Sequence, residues 1–296
     1  MSSFLDTRGD SIVVVEDDDV IKVHVHTDDP GVVLTEALTY GTLVSIKIEN
    51  MREQHSEASG GSAGAASAPQ TQVGSVEMKE FGVVAVCAGA GIEEVFCDLG
   101  TDKIITGGQT MNPSTEDILD KINETPSEVV FVLPNNKNII MAAEQCIPLS
   151  DKRVIVIPTR SIPQGISALL SLDGSDDIDE IAVCMTEAAK SVKTALITIA
   201  ARDSVFDGLE IKKDEHLALI EDSLAANGPD ASAVVDAVAK ALSGFSPEFI
   251  TIFTGQDASE AEAASVAEQV GAASPGAEVT VIDGGQPVYS YIISAE

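Results

Sequence analysis

The sequence predicts a small ββαβ domain, a flexible linker, and then a two-lobed region that joins a parallel-sheet α/β lobe to a mixed α+β lobe. Three observations predict it. Between residues 81 and 172, short β-branched runs alternate with amphipathic segments, the pattern of a parallel sheet covered on both faces. From residue 175 onward, helices and strands follow one another without that rhythm, which suits a mixed sheet. Residues 56–76 consist mainly of Gly, Ser, Ala, Gln and Thr without apolar periodicity, and read as a linker. The divisions therefore fall at 1–55, 56–78, 79–174 and 175–296.

In the first domain, residues 11–15 and 20–27 read as two strands of a hairpin around an acidic turn at 16–19. Pro30-Gly31 opens a helix over 32–40, capped by Thr27, Asp28 or Asp29 and stopped at Gly41, and residues 43–49 return as a third strand. Next come strands over 82–87, 103–106, 129–133 and 154–158, each with a helix behind it. The last part reads as a helix over 178–190, strands over 193–201, 209–212 and 216–220 as an antiparallel ribbon, and a helix over 231–242. A buried strand over 249–254, a helix over 259–270, and closing strands over 278–283 and 288–293 complete it. The default binding site of such a region is the cleft between its lobes.

The charge narrows the function. Seventeen basic residues against forty-eight acidic ones give a formal charge of −31, which repels phosphate backbones and anionic membrane surfaces, so nucleic-acid partners are not expected. The acidity serves either whole-surface solubility, as in a salty habitat, or a basic partner protein. No apolar run is long enough to span a membrane, and the first residues do not form a secretory signal. Cys87, Cys97, Cys146 and Cys184 lack Cys-x-x-Cys spacing and read as buried thiols of a cytoplasmic protein.

His24 and His26 alternate with Val23 and Val25, so a strand of period two places both imidazoles on one face. Two such side chains can chelate a metal, although zinc takes three or four protein ligands; a hydrated strand face is the other reading.

In open parallel sheets, ligands sit beyond the carboxyl ends of the strands. The loops there carry Gly107, Gly108, Gln109, Thr110, Asn112 and Ser114, then Asn135 and Asn136, then Arg160, Gln164 and Gly165. They offer close backbone approach, neutral hydrogen-bonding groups and one arginine, which suits a carboxylate or phosphate head group. Caps and turns explain the same residues equally well. No phosphate-cradling Gly-x-x-x-x-Gly-Lys loop, nucleophile elbow or complete catalytic constellation is visible.

Gly9-Asp-Ser-Ile-Val-Val-Val15, Ile21-Lys-Val-His-Val-His-Thr27, Pro30-Gly31 and Lys47-Ile-Glu-Asn-Met-Arg-Glu-Gln-His55 resemble the middle domain of dihydroxyacetone-kinase-like fusion proteins. These are the bacterial fatty acid kinase catalytic subunits, or Dak phosphatases. Gly107-Gly-Gln-Thr-Met-Asn-Pro-Ser-Thr-Glu-Asp117, Leu133-Pro-Asn-Asn136 and Ile162-Pro-Gln-Gly165 are similar to that family's C-terminal region, which in turn resembles DegV-like fatty-acid-binding proteins. The resemblance implies a fragment without the kinase domain that binds ATP and magnesium, and hence one that phosphorylates nothing by itself. It implies zinc held by His24, His26 and a cysteine on a strand preceding residue 1, together with a homodimer. DegV-like carriers hold the carboxylate with a Thr-Ser-Gln-Pro type loop, whereas this chain has Gly108-Gln-Thr-Met-Asn-Pro113. The expected task is therefore docking of a lipid-loaded DegV-like partner for a kinase domain. The alternatives are a module binding a fatty acid or other anion, and a phosphatase using the 107–117 and 158–165 loops.

Overall fold

The computed structural model describes residues 4, 8, 10–17, 20–27, 30–41, 79–108, 112–172, 177–206 and 209–296. The chain divides into two units, Met1–Val73 and Gly74–Glu296. The expected third strand at 43–49 and the linker at 56–76 lie outside the described residues.

In the first unit, β1 (Asp10–Asp17) and β2 (Val20–His26) form an antiparallel pair, with Val13 opposite His24 and Asp10 opposite His26 across an irregular register. The following helix, α1 (Pro30–Ala37), begins at Pro30 and buries Val33. Proline suits a first turn, because the amide it lacks would have had no partner there.

The second unit opens with the α/β lobe. Its strands β3 (Gly82–Cys87), β4 (Lys103–Thr106), β5 (Val129–Leu133) and β6 (Arg153–Val156) are all parallel, in the order β4-β3-β5-β6. The helices are α2 (Ala90–Asp98), α3 (Thr115–Glu124), α4 (Lys137–Gln145), α5 (Ile162–Leu170) and α6 (Ile178–Ser191), with a short 3-10 turn at Ile147–Leu149. Strand alternation divides the core in two. Val83, Ala85, Cys87, Phe131 and Leu133 pack with Ile92 and Phe96 of α2, Ala168 of α5 and Met185 of α6. Val84, Val86, Val130 and Val132 pack on the opposite face with Ile118 and Ile122 of α3 and Ile139 of α4. Burial of both faces accounts for the nearly unbroken apolar runs of these strands.

Local chemistry sets the ends of α3. Ser114 and Asp117 form a capping box at its N-terminus. At its C-terminus, Lys152 Nζ donates to the carbonyls of Ile122 (2.8 Å), Asn123 (2.9 Å) and Thr125, groups that the last helical turn leaves free. Desolvation holds the Lys152 pKa below its usual value.

The second lobe contains β7 (Lys193–Ile199), β8 (Ser204–Phe206), β9 (Leu209–Ile211), β10 (His216–Ile220), β11 (Ser223–Gly228), α7 (Ala231–Ser243), β12 (Phe249–Gly255), α8 (Glu260–Ala273), β13 (Glu278–Gln286) and β14 (Tyr289–Ala295). Six strands form a mixed sheet in the order β11-β10-β7-β14-β12-β13, in which only β12 and β13 run parallel; β8 and β9 pair separately. The expected single ribbon is thus divided, with β7 and β10 belonging to the main sheet. Strand β11 was not anticipated. One face of the sheet packs on α7 and α8 through Ala195, Ile197, Ile252 and Ile293. From the other face, Phe253 and Ile292 enter the cluster shared with α2, α5 and α6, so one apolar core runs from lobe to lobe.

Two cysteine expectations are corrected. Cys87 and Cys146 are buried, whereas Cys97 and Cys184 are exposed on α2 and α6. Each helix turns other residues inward, Ile92 and Phe96 in α2 and Ile181, Met185 and Ala189 in α6. No helix among the described residues is long and apolar enough to cross a membrane.

Candidate functional site

The strand order places the reversal of the sheet between β3 and β5, and the loops there close on one another. Asn135, directly after β5, ties three of them together. Its backbone N–H donates to Thr159 Oγ1 at 3.0 Å in the loop after β6, and its Nδ2 donates to the Val86 carbonyl of β3 at 2.9 Å. Asn135 is buried and has φ 54°, a left-handed conformation that asparagine tolerates better than most residues. Gly165 makes room for it: a Cβ there would stand 2.1 Å from Asn135 Oδ1.

The neighbouring residues serve as caps. Asn136 Oδ1 accepts the Asn138 N–H at 2.9 Å and so starts α4. Ser161 caps α5, and its hydroxyl lies 2.7 Å from Thr194 Oγ1 of the second lobe. Gln164 Oε1 accepts the Arg160 N–H at 2.8 Å, which fixes the bend before the helix. Asn135 Oδ1 and Asn136 Nδ2 are buried without a hydrogen-bond partner.

The cations at this end of the sheet are already matched. Arg160 Nη2 lies 3.2 Å from Asp222 Oδ2, and Lys137 Nζ lies 3.1 Å from Asp222 Oδ1. Asp222 and Glu221 form the two-residue turn between β10 and β11, with φ 69° and 48°. Glu221 Oε1 accepts the Thr194 N–H at 2.9 Å, which anchors the turn on β7. Burial, and then the charge of Asp222, push the Tyr289 phenol up to about 12.

Gly107 is buried beside β3, its N–H donating to the Cys87 carbonyl at 3.0 Å, and Gly108 has φ 152°. Gln109 and Thr110 lie outside the described residues. Asn112 and Ser114 are exposed, and the Ser114 hydroxyl is occupied in the capping box, donating to Asp117 Oδ2 at 2.6 Å. The fold thus gathers Asn135, Asn136, Arg160, Gln164 and Gly165, and gives Ser114 a structural task. Reading the sequence missed Lys137, Thr159, Thr194, Glu221 and Asp222. Lys137 follows Asn136 directly, and that adjacency was the available signal.

Chemically, this is a scaffold of neutral hydrogen bonds with two cations balanced by an internal carboxylate. Burial, followed by the charges of Glu93 and Cys97, raises the Cys87 thiol to about 12, so it is not a thiolate at neutral pH.

His24 and His26 both lie on β2. Among the described residues, no group of three or more His, Cys, Asp or Glu is placed to hold a metal ion. The pair supplies two of the three or four protein donors that zinc takes.

The second unit has the DegV-like fold. It superposes on a DegV family protein from Corynebacterium glutamicum with a TM-score of 0.55 at 16% identity, covering 73% of this chain and 95% of that one. The fatty acid kinase B3 protein of Streptococcus pneumoniae, loaded with linoleic acid, gives 0.50 at 11% identity, covering 74% and 99%. A DegV family protein from Thermus thermophilus, described by its fatty acid binding, gives 0.50 at 13%, covering 74% and 100%. The chain itself belongs to the FakA-like family of fatty acid kinase proteins: residues 82–296 match its C-terminal domain and residues 1–58 its middle domain. An uncharacterized Staphylococcus aureus protein of strain USA300 is 40% identical over 288 residues, 97% of this chain and 52% of the relative. The same values hold for one of strain bovine RF122, so the chain spans about half the length of the curated relatives it matches.

Proposed function

We propose that this chain is the non-catalytic portion of a fatty acid kinase. It docks an acyl-carrying DegV-like partner, as a homodimer in the cytoplasm, so that a separate kinase domain using ATP and magnesium can phosphorylate the presented carboxylate. Family membership and the DegV-like fold support the reading. The observation that carries it is the state of the loops at the carboxyl ends of β3, β5 and β6. Their described polar groups are largely spent in caps and ties, and Asp222 balances the charge of Lys137 and Arg160. Such an end serves better as a rigid docking platform than as a carrier's acyl site. Supplying an acyl-loaded DegV-like carrier and ATP to the purified chain tests the division of labour. No acyl phosphate forms with the chain alone, and formation begins when the kinase domain of a longer relative is joined to it. Acyl phosphate formed by the chain alone would overturn the reading.

A further inference from the structure

The second unit carries two exposed patches that its own folding does not use. Strands β8 and β9 pair only with each other, Phe206 opposite Leu209 and Val205 opposite Glu210, and form an arm between β7 and β10. At its base the Ala200 N–H donates to the Glu215 carbonyl at 2.8 Å and Ile211 is buried, but Val205, Phe206 and Leu209 are 69%, 36% and 53% exposed. A two-stranded ribbon gains little stability by itself, so apolar side chains exposed on it point to a contact with another surface. The arm also holds Arg202, Lys212 and Lys213. Among the described residues, these three and Lys240 are the only Lys or Arg side chains of the second unit without an ion pair, apart from the carbonyl-bound Lys152. The neighbouring carboxylates of Asp203 and Glu215 instead accept the backbone N–H groups of Lys213 and Lys212, at 2.7 and 3.0 Å.

The second patch surrounds the opposite end of β7. Phe245, just after α7, and Phe249, the first residue of β12, are 52% and 55% exposed. Phe249 stands between two glutamates: Glu278 is opposite it on β13, and Glu296 exchanges backbone hydrogen bonds with it at 3.0 and 2.9 Å. Glu248 precedes it, and none of these three carboxylates makes an ion pair among the described residues. Lys193 Nζ lies 5.6 Å from the centre of the Phe245 ring, and the 7 residues of β7 lead from Lys193 toward the arm, a separation of roughly 20 Å.

A chain of charge −31 repels its own copies over most of its surface, so it self-associates only where apolar groups meet and opposite charges face each other. The arm and the aromatic end match in both respects: cations around Val205, Phe206 and Leu209 on one, carboxylates around Phe245 and Phe249 on the other. Within one copy, β7 holds the two patches apart. We propose that two copies of this chain associate about a two-fold axis, with the β8–β9 arm of each seated on Phe245 and Phe249 of the other. This rests on the homodimer of the proposed function and names its interface. The contact forms twice about the axis and closes there, so assembly stops at two copies.

The test is sedimentation equilibrium of the full chain. The parent is expected to be a dimer that loosens as salt rises, because the facing charges are exposed and screened. Lys212→Glu/Lys213→Glu and Glu248→Lys/Glu278→Lys are each expected to raise the dimer dissociation constant about tenfold or more, since like charges then face one another. An equimolar mixture of the two variants is expected to recover the parent's affinity, because its mixed dimer has one native and one inverted contact, both complementary. A monomeric parent, a dimer that survives in both variants, or a mixture that stays dissociated would overturn the proposal. Carrier binding measured on the same samples reads the docking role separately. A parent that dimerises through these patches yet binds no acyl-loaded DegV-like carrier sinks that role and leaves the interface, whereas a monomeric parent that loses the carrier in both variants assigns the patches to the carrier.

Discussion

Gly91, in the first turn of α2, lies so close to β13 that a Cβ on it would stand 1.7 Å from the Asp283 carbonyl oxygen. The α/β lobe and the mixed sheet therefore meet backbone to backbone at this point, beside the apolar core they share through Phe253 and Ile292. Lobe separation and loss of tertiary structure are consequently linked.

Gly91→Ala is expected to destabilise the second unit by about 3 kcal/mol, the upper end of the overpacking range, because the clash is with backbone. Gly276→Ala, where a Cβ meets nothing within 4 Å, is the matched control and is expected to cost little. Urea unfolding followed by circular dichroism separates the two.

Asn135→Ala removes the donor to the Val86 carbonyl and puts at φ 54° a residue that tolerates that conformation less well than asparagine. The expected loss is about 2 kcal/mol, mostly from the buried unpaired carbonyl. Asn135→Gly is expected to lose less, since glycine adopts that φ freely. Equal losses in the two variants would show that backbone conformation contributes nothing here.

Acidification is expected to weaken the start of α8. Ser259 and Glu262 form its capping box, and hydrogen bonds from the Ser259 side chain and backbone hold the Glu262 carboxyl below its ordinary value of 4.5. A carboxyl lowered on folding contributes stability above its unfolded value and loses it as pH falls through the folded one. Stability measured from pH 7 to pH 3 is therefore expected to carry a contribution that falls away below about 4.5 and is reduced in Ser259→Ala, which keeps the backbone donor and loses the hydroxyl.

We propose that zinc binding through His24 and His26 is weak in this chain, because two imidazoles are too few for a zinc site. Metal analysis of the purified chain is expected to find zinc well below stoichiometry, unchanged by His24→Ala. Tightly held stoichiometric zinc would mean that further donors complete the site.

The parallel sheet was legible because residues buried on both faces leave apolar runs such as Gly82–Cys87 and Val129–Leu133. Strand β11 was not, because Ser223-Leu-Ala-Ala-Asn-Gly228 contains no β-branched residue and lies at the sheet edge beside β10, with Ala226 packed against the core on that side. The site was half legible. Strand order alone brings the Asn135 and Arg160 loops together, whereas the lobe that supplies Asp222 joins them only through tertiary folding. The Glu221-Asp222 turn carries no glycine or asparagine to announce it, and Ser114 fits a cap and a ligand loop equally well until the Asp117 contacts are seen.

The most direct test of the docking reading is titration of this chain with a DegV-like carrier in its acyl-loaded form. The account predicts a saturable complex that forms without any kinase domain. A carrier that binds the longer relative yet leaves this chain unbound would contradict it.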